Sequence, residues 1–492
     1  AQGIEAGPWW DPMLVAQVLE GGQHLKEEGY FTLEAVAARY LGRTLDKVHQ
    51  TSDWRRPFLS EAQLHYAADD VLTLLDLVPV LMDAVTKERL TETVALEMAA
   101  LPTMAWMTHT GVPFDAVRWE QLADQAEARR TEVAEVLQQQ FADALDGRTG
   151  HLPGMVPPVN LDSPVKMKQA FQDLGLTVED TDEDTLVAVQ EQCPLIPIYL
   201  RYREAQKQAS TYGREFLRYR HPVTGRIHPG YYQIGTETGR MSCSKPNMQN
   251  IPRLASYRAC ICPGLGKVLV KADLSMIELC VAAELSRDTA LIQALVARQD
   301  PYRLTASAVF QRPLTEVTSQ ERSFGKTVVL GMLFGMGAQT LQDKAREAGM
   351  EISLHEAQHF IGRFGSAWPA LARYRQKRLA LRRMRVRSVA GRVRKLLPDA
   401  KGTLRLNTPI RATAADGFKA AMGLLWQERH QHPGVAPILA VHDELVLECD
   451  SAQGEETAAW VSSCLERGMR RYLTQAPVRI QTVIARDWSG GE

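Results

Sequence analysis

The stretch Lys267-Val-Leu-Val-Lys-Ala-Asp273-Leu-Ser-Met-Ile-Glu278-Leu279 constrains this chain most. Its short apolar run, Val268 to Val270, has the length and composition of a strand. Asp273 stands where that strand should end, and Glu278 follows in an apolar, helix-like setting. A carboxylate at a buried strand end is costly unless a cation neutralises it. The plainer alternative is an acid that caps a helix beginning near Ser275; this stretch by itself leaves both open.

Near the other end, Pro437-Ile-Leu-Ala-Val441-His442-Asp443-Glu444-Leu-Val-Leu447-Glu-Cys-Asp450 sets two apolar runs around a polar tip. It reads as a hairpin with Asp443 at its turn. Two strand-end aspartates suit a two-metal phosphoryl-transfer site, because hard Mg²⁺ ions take oxygen ligands and keep open positions for substrate phosphates. Sequence alone does not bring the two ends together. A third stretch, Glu321-Arg322-Ser-Phe-Gly-Lys326-Thr-Val-Val-Leu330-Gly-Met-Leu-Phe334-Gly335, is helical in pattern. A step of four residues drifts only about 40° around a helix, so Arg322, Lys326, Leu330 and Phe334 share one face. Two cations, an apolar residue and a ring can grip phosphate and then stack a base. A solvated Arg/Lys face is the plain alternative.

These three stretches resemble motifs A, B and C of the family A DNA polymerases, the group of bacterial DNA polymerase I. Glu237-Thr-Gly-Arg240-Met-Ser-Cys-Ser-Lys-Pro-Asn247-Met-Gln249-Asn250-Ile-Pro252 is similar to that family's TGRLSS…PNLQNIP signature. Asn407-Thr-Pro-Ile-Arg411-Ala-Thr-Ala-Ala-Asp416 is similar to its N-x-P-x-Q-G-T-A-A-D. The motifs occur in the family's order over about residues 93–492. The resemblance implies an α+β multidomain chain with a right-hand polymerase fold: a palm with an antiparallel sheet, helical fingers and a thumb. The expected division is 1–92, a partial 3′–5′ exonuclease-like domain; 93–225, thumb and connecting helices; 226–295, palm; 296–405, fingers and a basic hairpin; and 406–492, palm again. The implied activity is template-directed addition of deoxynucleotides to a primer 3′ end, with primer–template DNA and deoxynucleoside triphosphates as partners. The alternative is a non-catalytic DNA-binding or processivity module that keeps the fold. It would not need Asp273, Asp443, Lys326 and Arg322 together.

By the same resemblance, Asp273 and Asp443 hold two Mg²⁺ ions, with the Leu274 carbonyl as a further ligand. Lys326 and Arg322 grip phosphates, and Lys326 protonates the leaving pyrophosphate. Leu330, Phe334 and Tyr302 belong to the nucleotide subsite, and Glu278 is the steric gate against a ribose 2′-hydroxyl. Arg240, Asn247, Gln249, Asn250, Asn407, Arg411 and His442 are expected at primer, template or the new pair. Arg203 and Lys207 share a face of the thumb segment Arg201–Tyr212 and are expected along the duplex. Several residues depart from the family pattern: Tyr302 replaces a His, Leu330 an aromatic, Phe334 a Tyr, Met276 a Gln, and Arg411-Ala412 a Gln-Gly. The segment from Asp399 to Asn407 is short, so an upstream Arg is either replaced by Arg405 or absent. Leu at position 330 is a variation associated with phage replicative polymerases, so a phage-type enzyme working in a bacterial cytoplasm is expected.

Residues 1–92 differ in character. Tyr66 and Asp70 match the third exonuclease motif, Y-x-x-x-D, but no D-x-E pair precedes them. A two-metal nuclease left with one of its acids should not hold its ions. This region is expected to be inert alone, either a scaffold or a domain completed by a separate polypeptide. The net charge of −1 argues against a nucleic-acid partner only if charge is spread evenly, yet residues 373–395 carry eleven Arg or Lys and no acid. Within them Met384 to Leu396 alternates about Ala390-Gly391. It reads as a hairpin whose basic face, with Arg392 and Arg394, is expected to meet a DNA backbone. No apolar run reaches membrane-spanning length, and the seven cysteines form no C-x-x-C pair, which argues against structural zinc. The chain opens on Ala1 rather than Met, as a processed or truncated fragment would.

Overall fold

The computed structural model describes residues 7, 9–146, 148 and 156–491; Ala1 lies outside them. The chain divides into two compact units. Ala1–Gly111, Pro229–Gln249 and Leu265–Ala485 form the first, and Val112–His228, Asn250–Gly264 and Arg486–Glu492 the second.

In the first unit, β1 (Gly230–Tyr232) pairs with β2 (Ser242–Ser244). Then come β3 (Lys267–Leu274), the short hairpin β4 (Arg385–Arg387) and β5 (Val393–Lys395), and finally β6 (Ala436–Val441), β7 (Glu444–Asp450) and β8 (Ile480–Ala485). An antiparallel sheet runs in the order β6-β7-β3-β8. β3 lies inside it, so Leu269, Val270 and Ala272 are fully buried, as the apolar run required. The helix Gly402–Glu428 is buried along most of its length between Thr91–Thr110 and Gly454–Arg470. Glycine permits the second of these contacts: a Cβ on Gly468 would stand 2.6 Å from the Ala421 nitrogen.

Helix Thr91–Thr110 falls in the first unit because Ala100, Met104 and Met107 join the main core. The second unit therefore begins at Val112, inside the stretch 93–225 that the sequence assigns to thumb and connecting helices. Ser319–Leu333 opens on a capping box made by Thr318 and Glu321, and its buried Phe324, Val328 and Met332 pack into the same core. Residues 9–92 contribute Pro12–Glu20, Leu33–Leu41 and Glu61–Lys87 and, among the described residues, no strand. Their Leu14, Val18, Leu77 and Leu81 share a smaller core with Ile234 and Val393.

Among its described residues, the second unit's regular structure is helical apart from isolated bridges. Asp115 caps Ala116–Leu145 by accepting from the Arg118 N–H, and Ser163 caps Pro164–Asp173 ahead of a proline at the first helical position. Ala116–Leu145 packs along Leu195–Thr211 over Phe141, Phe171 and Tyr199. Trp119, fully buried, stacks on Phe216 with ring centroids 4.4 Å apart.

Candidate active site

Asp273 is the penultimate residue of β3, and Asp443 is the second residue of the two-residue loop between β6 and β7. Pairing of β3 with β7 puts Asp273 opposite Glu444, and the Leu274 N–H donates to the Asp443 carbonyl at 3.1 Å. The two strand ends meet. The helix-cap alternative fails: helix Ile277–Ser286 has Met276 at its N-cap and no side chain capping it. His442 takes a left-handed φ of 56°, the conformation that the first position of a tight two-residue hairpin loop favours.

Burial, then the charges of Asp443 and Glu444, push the Asp273 carboxyl up to about 6. Such a site is short of positive charge, and Arg240 supplies part of it. Its Nη2 donates to Glu278 Oε1 at 2.9 Å and to both Asp443 carboxylate oxygens at 3.2 Å. Among the described residues no cluster of three or more His, Cys, Asp or Glu side chains gathers to enclose an ion. Two carboxylates at an open sheet end fit a hard cation that keeps positions for water and substrate oxygens, and a guanidinium on Asp443 marks where positive charge is wanted.

Arg240 follows Gly239, whose φ is 83° and where a Cβ would stand 2.6 Å from Arg392 Nε. Arg392 itself corrects the sequence reading. It is buried, bonded to Asp416 at 2.7 Å and to Glu97, and Lys419 donates to Glu97 at 2.6 Å. Burial opposes the Glu97 charge, but Lys419 and Arg392 hold its carboxyl below the usual range. Arg394 is also turned inward, 3.3 Å from Glu237, and Arg385 and Lys395 pair with Glu88 and Glu20. The hairpin forms about Ala390-Gly391 as expected, but much of its charge is answered by acids of the chain itself rather than by a DNA backbone. Those acids are remote in sequence, so the basic run carried no sign of them. Arg405 is likewise internal, donating to the carbonyls of Arg383 and Ala400.

On Ser319–Leu333, Arg322 and Lys326 are exposed and Leu330 is half-buried against the core. Phe334, just past the helix end, is half-buried too. Arg322 is paired with Asp300, the N-cap of Pro301–Phe310. Among the described residues no carboxylate pairs with Lys326. Tyr302 is only 7% exposed, with Arg322 5.9 Å above its ring, so it supports Arg322 from beneath instead of facing the open side.

A family model described as DNA polymerase family A matches residues 130–490. The chain belongs to that family. A second model, for a 3′–5′ exonuclease, matches residues 1–86. DNA polymerase I of Aquifex aeolicus is 30% identical over 99% of this chain and 85% of its own length. The thermostable DNA polymerase I of Thermus thermophilus is 31% identical over 99% of this chain, which spans only 56% of that enzyme. A solved structure of the POL domain of Pol1 from M. smegmatis, in complex with DNA primer-template and dNTP, superposes with a TM-score of 0.81. It has 26% identity and covers 97% of this chain and 82% of that one. The α+β polymerase fold and the DNA-directed DNA polymerase class follow from these matches. None of them supports a separate polypeptide completing residues 1–92.

The remaining family A positions fall in several places. Gln249 donates to the Ala440 carbonyl at 3.1 Å, and exposed Asn247 accepts from the Gln249 N–H at 3.0 Å. Oriented to satisfy both neighbours, the Asn407 amide donates to the carbonyls of Leu333 at 2.8 Å and Thr403 at 3.2 Å. Arg411 turns toward Glu278 and Phe334. Asn250, Arg203 and Lys207 belong to the second unit, where Arg203 and Lys207 are exposed on Leu195–Thr211. Tyr66 and Asp70 lie on Glu61–Lys87.

Proposed function

We propose that this family A polymerase adds deoxynucleotides to a primer 3′ end under template direction, by phosphoryl transfer at Asp273 and Asp443. The observation carrying this reading is the meeting of the two acids at one sheet end, with the Asp273 carboxyl raised to about 6. Two bound Mg²⁺ ions would supply activation of the 3′-hydroxyl and neutralisation of the leaving pyrophosphate. Asp273, Asp443 and the Leu274 carbonyl are the residues that would hold them. Lys326 binds the triphosphate and gives a proton to the leaving pyrophosphate, and Arg322 joins it by exchanging Asp300 for phosphate. Leu330 and Phe334 bound the base and sugar, and Glu278 excludes a 2′-hydroxyl. Arg240, Asn247, Gln249, Asn250, Asn407 and His442 contact primer, template or the new pair, and Arg203 and Lys207 follow the duplex. The setting is a bacterial cytoplasm. Among the described residues no helix is long and apolar enough to cross a membrane.

The test is primer extension with the four deoxynucleoside triphosphates, with and without Mg²⁺. Template-directed extension that needs the cation is expected. Duplex binding without extension would favour the non-catalytic module instead.

A further inference from the structure

Arg411 sits where its guanidinium joins two parts of the nucleotide subsite that cannot reach each other. Its Nε stands 3.4 Å from Glu278 Oε1, the same oxygen that Arg240 bonds at 2.9 Å. Its Cζ lies 4.4 Å from the centroid of the Phe334 ring. Phe334 has no polar atom with which to hold Glu278, so Arg411 is what couples ring and carboxylate. The support beneath it is firm. Arg411 rises half-buried from the Gly402–Glu428 helix, whose Thr408, Pro409, Ile410 and Ala412 are all buried. One turn earlier, Asn407 fastens the same helix to the Leu333 carbonyl, next to Phe334. Phe334 itself follows the end of its own helix and precedes Gly335, whose φ is 84°. Without these two ties its ring would stand at a helix end held by backbone hydrogen bonds to Leu330 and Gly331. The Arg411 Nε is buried and makes no hydrogen bond among the described residues, so the contact with Glu278 is one of charge and placement.

We propose that Arg411 is a specificity-determining positioning residue: it fixes Glu278 and Phe334 as one unit and so sets discrimination between deoxyribo- and ribonucleotides, a role that rests on the reading of Glu278 as the sugar gate. A carboxylate held at Oε1 by both Arg240 and Arg411 keeps one rotamer and presents a fixed steric wall. A ring pinned by a cation over its face keeps base and sugar against that wall.

The test measures kcat and KM for each deoxynucleoside triphosphate and its ribonucleotide counterpart on the full chain, with melting curves alongside. Arg411→Gln is expected to lower sugar discrimination by roughly 2- to 10-fold, the range a cation–π contact and a charge contact can carry. The change should lie mainly in KM, with the melting temperature nearly unchanged. Arg411→Lys keeps a cation near Glu278 and should recover part of the discrimination. In a Phe334→Leu background the effect of Arg411→Gln should shrink, because one of the coupled partners is gone. Glu278→Ala separates the two readings. If it relaxes sugar selection while Arg411→Gln does not, the positioning role is overturned and the gate stands. If Glu278→Ala leaves selection intact, the gate reading fails and this inference falls with it. A lowered melting point in Arg411→Gln with unchanged discrimination would show a structural role only, and would also overturn it.

Discussion

Two acidic regions anticipated from the sequence come out differently. At the sheet end, Asp273 and Asp443 arrive from distant segments and meet because β3 and β7 pair in register. On Glu61–Lys87, Tyr66 and Asp70 lie one turn apart on a single helix, and burial and then the Asp70 charge raise the tyrosine pKa. The neighbouring rings are His49 and Trp54, and Leu64, Val71, Leu72 and Leu75 of the same helix are exposed. The first region has two rigid elements converging on one point, buried enough to raise a carboxyl pKa; the second has one helix and an uncovered apolar flank. A catalytic pair needs separate supports that fix each partner against the other. A motif carried on one helix supplies the residues without that support.

The largest effect should come from breaking the first region. Asp443→Ala is expected to reduce nucleotide addition on the order of 10³-fold, the scale on which one preorganised electrostatic group acts, while duplex affinity survives. Primer extension and a binding isotherm on the same variant check this. Extension above a few per cent of wild type would erase the contrast between the two regions.

Next in size is the buried ion network behind that site. Glu97→Ala leaves Arg392 and Lys419 without their shared partner in a dry interior. Stranding buried charge costs about 3–5 kcal/mol, so the melting temperature should fall by several degrees. An unchanged melting curve would mean that water reaches the network and that the hairpin, with the Gly239–Arg240 turn resting on it, is held by something else.

A gentler probe is pH, with metal removed by EDTA. The folded Asp273 pKa of about 6 lies above its ordinary 3.8. Its contribution to stability is therefore full below about pH 4 and lost as pH rises through about 6. Asp273→Asn removes that loss, so the variant should melt higher than wild type at pH 7, and the gap should narrow at pH 5. A gap that widens on acidification would contradict a carboxyl destabilised by burial and by its acidic neighbours.

These contrasts also mark what could be read from residues alone. The strand at 267–274, the hairpin around Asp443 and the four-residue spacing on 322–334 were all legible, because local periodicity and turn chemistry decide them. The side-chain partners of cations were not. The basic run at 373–395 reads as a DNA-facing surface because Glu20, Glu88, Glu97, Glu237 and Asp416, which answer four of its charges, lie elsewhere in the chain. The resemblance places Arg411 at DNA for a similar reason: nothing near it in sequence announces Phe334 or Glu278. Helix Thr91–Thr110 joins the first unit although the sequence groups 93–225 as thumb and connecting helices, because a helix that is apolar on several sides does not disclose which neighbour it packs against. Long-range charge pairing and helix partnership are properties of the folded chain, and one sequence carries little trace of them.

The smallest expected effect tests the second region directly. Asp70 lies on one helix beside Tyr66, and no D-x-E pair precedes it in the chain. Asp46, Asp69 and Asp76 line the same cleft, but these acids come from one helix and the loop before it rather than from two paired strands. Asp70→Ala should therefore leave primer extension unchanged and cost no more than about 0.5 kcal/mol of stability, as surface substitutions usually do. Neither wild type nor variant should shorten a single-stranded 3′ end in Mg²⁺. The informative control is Asp443→Ala, which is expected to disable polymerisation without touching residues 9–92. If that variant still shortens the 3′ end, and Asp70→Ala alone abolishes the shortening, the helix carries a working nuclease site. Acids on one helix would then serve this chain as well as acids fixed by two paired strands. Equal and negligible shortening in all three proteins would uphold the difference between the acids at the sheet end and those on the helix.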